Sequence, residues 1–453
     1  MKEYPMDTIK AQSDWENLTL EEGIPRPAWL GRGGKILEKE FCKELLREFP
    51  LCSVGNQFYD LNGPIRDDDF LRKWIYDKLK NWLPGNFNKK VESILYTLRY
   101  ECRDAAHFHS EYKVLHFRNG TYVLEDGSFM EQKGFCKYRF PFDFDPKAPK
   151  PQRWMAFLRD LLEEEDILTL QEYLGYCLFP TTRAQKMLMI IGSGGEGKSR
   201  IGIVMKAMLG NAICQGSLDK VEHDRFARAD LENMLVMIDD DMKMEALKQT
   251  NNLKSIITAQ GKMDLERKGK QSYQADLNVR FLAFGNGSIK SLHDRSYGFF
   301  RRQIILRAKP RREDRVDDPF LDVHLQKELA GIFLWCLEGF DRLLMNNFQF
   351  TLSKQALDNA RESMAEGCNV LEFMESKGYF LLDPQESTCS RTLYNVYKDW
   401  CEDNSLHPLS TSSFCSWLRE NASRYHLCYD RAIPIGNGKY ARGFRGIRTL
   451  PRI

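Results

Sequence analysis

The sequence predicts an α/β fold. It is an open sheet of buried strands carrying a phosphate-binding loop, with an α+β region before it and a winged-helix pattern after it. Three observations lead there. Met187-Leu188-Met189-Ile190-Ile191 runs into Gly192-Ser193-Gly194-Gly195-Glu196-Gly197-Lys198-Ser199, and then into a helix with Ile201, Val204, Met205, Met208 and Leu209 on one face and Gly210 as its stop. Leu235-Val236-Met237-Ile238 is a second continuous apolar run, the mark of a strand buried on both faces, and Asp239, Asp240 and Asp241 follow at once. Near the C-terminus two amphipathic helices precede a hairpin that turns at Gly436-Asn437-Gly438.

Composition bounds the answer. A chain of 453 residues has room for about three domains. With 29% charged and 42% hydrophobic residues, it is an ordinary soluble composition. A net charge of +2 gives no global field for nucleic acid, so any basic surface has to be local. Twelve cysteines contain no Cys-x-x-Cys pair, which argues against a zinc ribbon. Without a signal peptide they read as reduced thiols in a cytoplasm. The longest apolar runs, such as Ile332 to Cys336, are too short to span a bilayer. His107-Phe108-His109 reads as ordinary structure rather than as a metal pair.

Taken in order, the chain opens with a polar arm. Helices follow over Glu38 to Phe49 and Asp67 to Leu83, with a strand from Phe58 into an Asn62-Gly63 turn between them. Lys90 to Glu101 is helical. Val114 to Leu124 is a hairpin turning at Arg118-Asn119-Gly120, and Phe140 to Pro146 is extended, as its prolines demand. Trp154 to Leu162 and Leu168 to Leu178 are helices leading to the first buried strand. Beyond Asp241, Leu253 to Ala259 is helical, and Lys262 to Ser272 suggests a hairpin whose tip is Gly269 between Lys268 and Lys270. Val279 to Phe284 is a third buried strand, ending at Gly285-Asn286-Gly287. Gln303 to Leu306 is a fourth, entered from Arg301-Arg302. Lys309 to Asp318 reads as a solvated charged linker. Helices follow over Pro319 to Met345, Ser353 to Cys368 and Val370 to Lys377. The last unit has a helix over Arg391 to Cys401 and a second one capped by Ser410 or Thr411. Its hairpin carries Arg431, Lys439, Arg442, Arg445, Arg448 and Arg452 with no acid from Arg431 onward. That is the electrostatic footprint of a phosphate-backbone contact.

The residues also indicate chemistry. Glycines let backbone N–H groups turn inward around a phosphate chain, and the helix after them adds its positive end. Lys198 can reach the β- and γ-phosphates, and the Ser199 hydroxyl can ligate Mg²⁺. Carboxylates at the end of a buried strand sit where open α/β sheets bind ligands. One of them can hold Mg²⁺ through water, and the next can polarise the attacking water. Asn286 can orient that water. An arginine ahead of the last core strand caps a carboxylate or reaches a neighbouring subunit's nucleotide.

Together these motifs resemble superfamily 3 helicases, compact AAA+ motors of viruses, phages and mobile elements. The stretch from about Leu95 to Gly192, including Phe117-Arg118-Asn119-Gly120 and Gln171-Glu172-Tyr173-Leu174-Gly175-Tyr176, resembles the region before the motor in satellite-phage and poxvirus primase–helicases. The likeness covers roughly residues 90 to 453. The residue pattern gives a small α+β domain over 1–88, and the likeness implies a collar-like domain over 89–180, an AAA+ core over 181–310, a helical lid or linker over 311–368 and a winged helix over 369–453. It implies that Gly192 to Ser199 bind nucleotide, that Ser199 and Asp239 hold Mg²⁺, that Asp240 and Asn286 handle the water, and that Arg302 or Arg301 is a finger in the next subunit. The Ala259-Gln260-Gly261 to Lys270 stretch resembles the family's pore-hairpin motif, so Arg267, Lys268 and Lys270, with Lys439, Arg442 and Arg445, are the expected DNA contacts. No acidic polymerase triad is evident in the first 90 residues, so priming is not expected.

The resulting expectation is an ATP-dependent hexameric DNA helicase for replication initiation of a phage or mobile element, in the cytoplasm of a bacterial host. It would hold single-stranded DNA in its pore and duplex at an origin, and work with a primase or polymerase. The alternatives are an ATP-switched origin-binding initiator without processive unwinding and, more weakly, a packaging or partition ATPase.

Overall fold

The computed structural model describes residues 26–54, 57–65, 67–83, 85–102, 114–242, 250–259, 261–269, 271–286, 297–367, 369–404, 406 and 408–451. The polar N-terminal arm, His107, His109, Gln260, Lys270, Gly287 and Arg452 lie outside the described residues. At the centre stand five parallel strands: β1 (Met187–Gly192), β2 (Ile213–Gln215), β3 (Val236–Met242), β4 (Arg280–Asn286) and β5 (Gln303–Arg307). Their order across the sheet is β5-β1-β4-β3-β2. The fold is therefore mixed α/β with a parallel sheet, as the buried runs predict.

Strand side chains alternate between faces with period two, and both faces are covered. Leu188, Ile190, Ile238, Leu282 and Ile304 point into one core, shared with helices α1 (Glu164–Tyr176), α2 (Ser199–Leu209) and α5 (Leu329–Met345). Met187, Met189, Met237, Phe281 and Ile305 point into the other, shared with α3 (Leu218–His223) and α4 (Asn251–Ile257). Two further cores lie outside the central sheet. The N-terminal one holds helices Glu38–Glu48, Asp69–Leu79 and Phe87–Glu101 around Phe41, Leu71 and Ile94. The C-terminal one holds helices Asn369–Glu375, Ser390–Asp403 and Thr411–Glu420 against an antiparallel sheet. That sheet has the order β6-β8-β7, from β6 (Phe380–Cys389), β7 (Cys428–Pro434) and β8 (Tyr440–Thr449). The Ser410 hydroxyl accepts from the Ser413 N–H at 3.1 Å and starts the third of these helices.

The segments before and after the sheet meet each other. Glu172 is fully buried on α1. Its carboxylate accepts from Arg342 Nε at 2.6 Å and from the Thr351 N–H at 2.7 Å. Gln171 Nε2 donates to the Trp335 carbonyl at 2.7 Å. Two glycines permit this approach: a Cβ on Gly175 would lie 2.2 Å from the Cys336 carbonyl oxygen, and one on Gly339 would lie 2.5 Å from that of Gln171. The Tyr173 hydroxyl donates to the Phe281 carbonyl at 2.6 Å, which ties α1 to β4. The Gln171-to-Tyr176 motif is thus a helix-packing motif that holds the sheet from behind. Among the described residues no helix is long and apolar enough to cross a membrane.

Lys309 to Asp318 is mostly exposed, as a solvated charged linker would be, and it is anchored where it leaves the sheet: Ala308 N–H donates to the Ile191 carbonyl and Lys309 N–H to that of Leu161, each at 2.8 Å. Arg311 and Arg315 find Asp317 within the same stretch, so their charges are partly neutralised where they fold over the sheet. The C-terminal unit also has a strand, β6, that periodicity did not announce. Its Pro384 and acids sit where the ladder with β8 is interrupted, between Asp383 and Ser387.

Gly175→Ala should lower stability by about 1–3 kcal/mol through backbone overpacking, whereas Gly134→Ala, with no atom within 4 Å of the added methyl, should be near neutral. Thermal unfolding of the two variants checks this; equal midpoints would contradict the close α1–α5 contact.

Candidate functional site

The candidate site lies at the C-terminal ends of the central strands, where Gly192 to Ser199 leads from β1 into α2. Gly194, Gly195 and Gly197 have φ of 106°, 81° and 101°, conformations that side-chain-bearing residues avoid. That backbone turns the Ser193 and Gly194 N–H groups toward a common point. Both donate to Glu196 Oε1, at 2.5 and 2.9 Å. Lys198 Nζ donates to Glu196 Oε2 at 2.7 Å and to Asn286 Oδ1 at 3.1 Å. Lys198 and Glu196 are both buried. Burial opposes the charge on Glu196, but hydrogen bonds from Lys198 and the loop N–H groups outweigh it and hold the carboxyl below its usual range. A Cβ on Gly192 would lie 2.6 Å from Glu196 Oε1 and 3.0 Å from Lys198 Nζ, so a side chain there would displace that pair. Amide N–H groups, an ammonium and a helix N-terminus around one point form the donor set that phosphate oxygens take. Ser199 opens α2 and is exposed.

The acids on β3 divide into two kinds. Asp239 is buried, and its Oδ2 accepts from the Leu218 N–H at 2.8 Å, at the start of α3. Burial raises its carboxyl above the usual range, against the backbone hydrogen bonds that lower it. Asp240 and Asp241 are exposed. Asp239 pairs with Ala283 and Met242 with Gly285, so Asp240 and Asp241 together oppose Phe284 alone. This bulge re-aims the strand end, so that two exposed carboxylates stand opposite one residue of β4. Asn286 pairs with Gly192 across β4 and β1, which explains its contact with Lys198.

Arg301 and Arg302 lie elsewhere. Met187 N–H donates to the Arg302 carbonyl, and Gln303 pairs with Met187, so both arginines sit at the N-terminal end of β1. The glycine loop is at the other end of that strand, about 16 Å away at ~3.3 Å per residue. Arg301 is exposed, and Arg302 is half-buried with Nη1 donating to the Gly298 carbonyl. Lys186 Nζ donates to the Arg301 carbonyl. Burial, then Arg301 and Arg302, depress the Lys186 ammonium. Burial and Arg301 act the same way on Arg302. This cluster of cations has no carboxylate partner among the described residues.

The expected nucleic-acid contacts separate by pairing. The hairpin Lys262–Leu265 and Tyr273–Asp276 carries exposed Lys268 at its tip, beside Gly269 with φ of 75°. Arg267 is committed to structure: Nη2 donates to Glu232 at 2.8 Å and Nε to the Tyr273 hydroxyl at 2.9 Å. On the C-terminal hairpin Arg445 is 2.7 Å from Asp430, while exposed Lys439 and Arg442 have no carboxylate partner among the described residues. Missed by the sequence reading were Arg311 and Arg315. Arg315 Nη1 donates to the Glu196 carbonyl at 2.7 Å, and Arg311 Nη1 comes within 3.9 Å of where a Cβ of Gly195 would stand. The only signal was their density of charge.

Two stretches match family models: residues 43–163 the family described as D5 N terminal like, and residues 190–302 a family of unknown function, DUF5906. The first of these supports a primase–helicase-like family. Among solved structures, the apo structure of the NrS-1 C terminal region (305-718) is similar with a TM-score of 0.56 at 10% identity, covering 90% of this chain and 99% of that one. The A form apo structure of the same region (305-718) gives 0.51 at 10% identity, with the same coverages. These likenesses are of fold. A search of curated proteins finds no match.

Because the folded-state pKa of Asp239 is raised, its burial penalty is present above that pKa and vanishes below the unfolded value of about 4. Asp239→Asn should therefore raise the thermal midpoint at neutral pH in chelator, with the gain shrinking as pH falls toward about 4. A lower midpoint at neutral pH would contradict it.

Proposed function

We propose that this chain is an ATP-dependent DNA helicase, a superfamily 3 type of AAA+ motor with a C-terminal winged helix. It acts as a hexamer in replication initiation of a phage or mobile element within a bacterial host. One observation carries this reading: the two halves of the expected ATPase machinery lie at opposite ends of β1. Lys198, Asn286 and the loop N–H groups gather at one end. The cations Lys186, Arg301 and Arg302 gather at the other, too far to reach the same nucleotide. In a ring, the cationic end of one subunit faces the phosphate end of the next.

In this mechanism the loop N–H groups and Lys198 bind the β- and γ-phosphates. Asp239 and the Ser199 hydroxyl are the groups that would hold Mg²⁺. That ion would supply charge neutralisation between the phosphates. Asp240, exposed on the bulge, polarises water, and Asn286, hydrogen-bonded to Lys198, orients it. Arg301 or Arg302 of the neighbouring subunit stabilises charge developing on the γ-phosphate, a contribution worth orders of magnitude in rate. Lys268, with Lys270, grips DNA phosphates by charge rather than sequence, and Lys439 and Arg442 contact duplex. The β6-β8-β7 sheet with its helices supports the winged-helix reading. The family match supports a role in replication, alongside a primase or polymerase.

The rival is an initiator that uses ATP as an assembly switch without unwinding. Strand displacement on a forked duplex separates the two. The double variant Lys268→Ala, Lys270→Ala should keep basal ATPase and lose unwinding; normal unwinding by it would remove the hairpin from the mechanism. The seam itself is tested by mixing. Lys198→Ala subunits and Arg301→Ala, Arg302→Ala subunits should each be inactive alone and recover ATPase when combined, because some seams then hold an intact lysine and intact arginines. No recovery, or full activity of the arginine variant alone, would contradict a shared site.

A further inference from the structure

The Glu196 side chain takes the same donors that a phosphate chain would use. The Ser193 and Gly194 N–H groups both point at Oε1, and the Lys198 ammonium binds Oε2. The carboxylate is almost wholly enclosed, at 3% exposure. Gly192 leaves it just enough room. Those donors cannot serve a buried carboxylate and a phosphate oxygen at once, because charge-assisted hydrogen bonds of this length need the same space and lone-pair directions.

We propose that Glu196 is a built-in anion that occupies the phosphate seat of the glycine loop and has to be expelled by the incoming nucleotide. This rests on the reading of the loop as a triphosphate site and adds its regulation. The sequence reading counted Glu196 among the residues that bind nucleotide. Its backbone remains part of the loop, while its side chain competes with the ligand. The device has two benefits for the resting protein. Lys198 and the inward N–H groups are never left without partners, a state that is expensive for buried polar groups. The loop is also held in its phosphate-binding shape before nucleotide arrives.

A second seat exists for the expelled carboxylate. Arg315 Nη1 donates to the Glu196 backbone carbonyl at 2.7 Å, and its Nη2 lies 3.4 Å from where a Cβ of Gly197 would stand. Arg315 therefore sits on the outer side of the same residue, and among the described residues only a 3.8 Å contact to Asp317 competes for its charge. Rotation of the Glu196 side chain from the nest to Arg315 exchanges one cation for another. Binding of nucleotide then couples to the Arg311–Asp317 segment, which the sequence presented as a mere linker.

Equilibrium titration of the full chain with Mg–ATP or a fluorescent ATP analogue, under non-hydrolysing conditions, tests this. Glu196→Gln removes the charge at nearly constant shape and should tighten binding about tenfold or more. Glu196→Asp keeps the charge but is one methylene too short to span Ser193 and Lys198, so it should give a smaller gain. Lys198→Ala should lose binding. In the absence of nucleotide, Glu196→Gln should melt below the wild type, and its nucleotide-induced rise in melting temperature should be the larger of the two. Unchanged or weaker binding by Glu196→Gln, with binding still lost in Lys198→Ala, would overturn the built-in anion and leave the nucleotide site standing. A gain in Glu196→Gln with none in Glu196→Asp would assign the effect to charge alone and also overturn the seat. Failure of wild type and Glu196 variants alike to bind, or retention of binding by Lys198→Ala, would instead bring down the nucleotide reading itself.

Discussion

The ammonium of Lys198 is the point on which the structure turns. It is buried at the mouth of a parallel sheet, where an unpaired charge is costly, and it is held by one carboxylate and one amide oxygen. Each partner arrives by a different constraint. Glu196 is delivered by three glycines in left-handed conformation. Asn286 is delivered by the register of β4 against β1, in which Asn286 faces Gly192. The insertion of β4 between β1 and β3 is what places an amide next to the lysine and the aspartates one strand further out. Strand order, loop geometry and site chemistry are therefore one problem rather than three.

The supports behind that point are equally specific. A sheet buried on both faces needs helices on both sides, and the chain supplies one layer from segments that flank the sheet in sequence. Helix α1 comes before it and α5 after it. They approach closely because Gly175 and Gly339 face carbonyl oxygens, and Glu172 closes the contact with Arg342 and Thr351. Tyr173 then fixes β4 through the Phe281 carbonyl. The remote helix pair is thereby in direct contact with the strand that carries Asn286.

What the sequence made legible follows from how local the signal is. The run Met187 to Ile191 is apolar at every position because both faces of β1 are buried, so it stood out without any knowledge of its neighbours. The hairpin around Gly269 and the cap at Ser410 are likewise local. Strand β2 was not legible because it is three residues long. Strand β6 was hidden by Pro384 and its acids, which an edge strand tolerates. The placement of Arg315 on the Glu196 carbonyl joins residues far apart in the chain, and a dense run of charges looks the same whether it is solvated or folded onto a loop. The side-chain role of Glu196 was invisible for a different reason. The motif specifies backbone shape at that position and says nothing of the side chain. The bulge at Asp240 and Asp241 depends on pairing with β4, which three adjacent acids in the sequence do not reveal.

In the proposed mechanism the nucleotide lies at a seam between copies, with Lys198 on one side and arginines from the other end of a neighbouring sheet. A structure of the full chain with Mg²⁺ and a non-hydrolysable ATP analogue would show that seam. The expected result is a closed six-membered ring, with the triphosphate on the Ser193 to Ser199 backbone and a neighbour's Arg301 or Arg302 within hydrogen-bonding distance of the γ-phosphate. A solitary chain that binds the analogue away from the glycine loop, or that turns over ATP at full speed as a monomer, would contradict it.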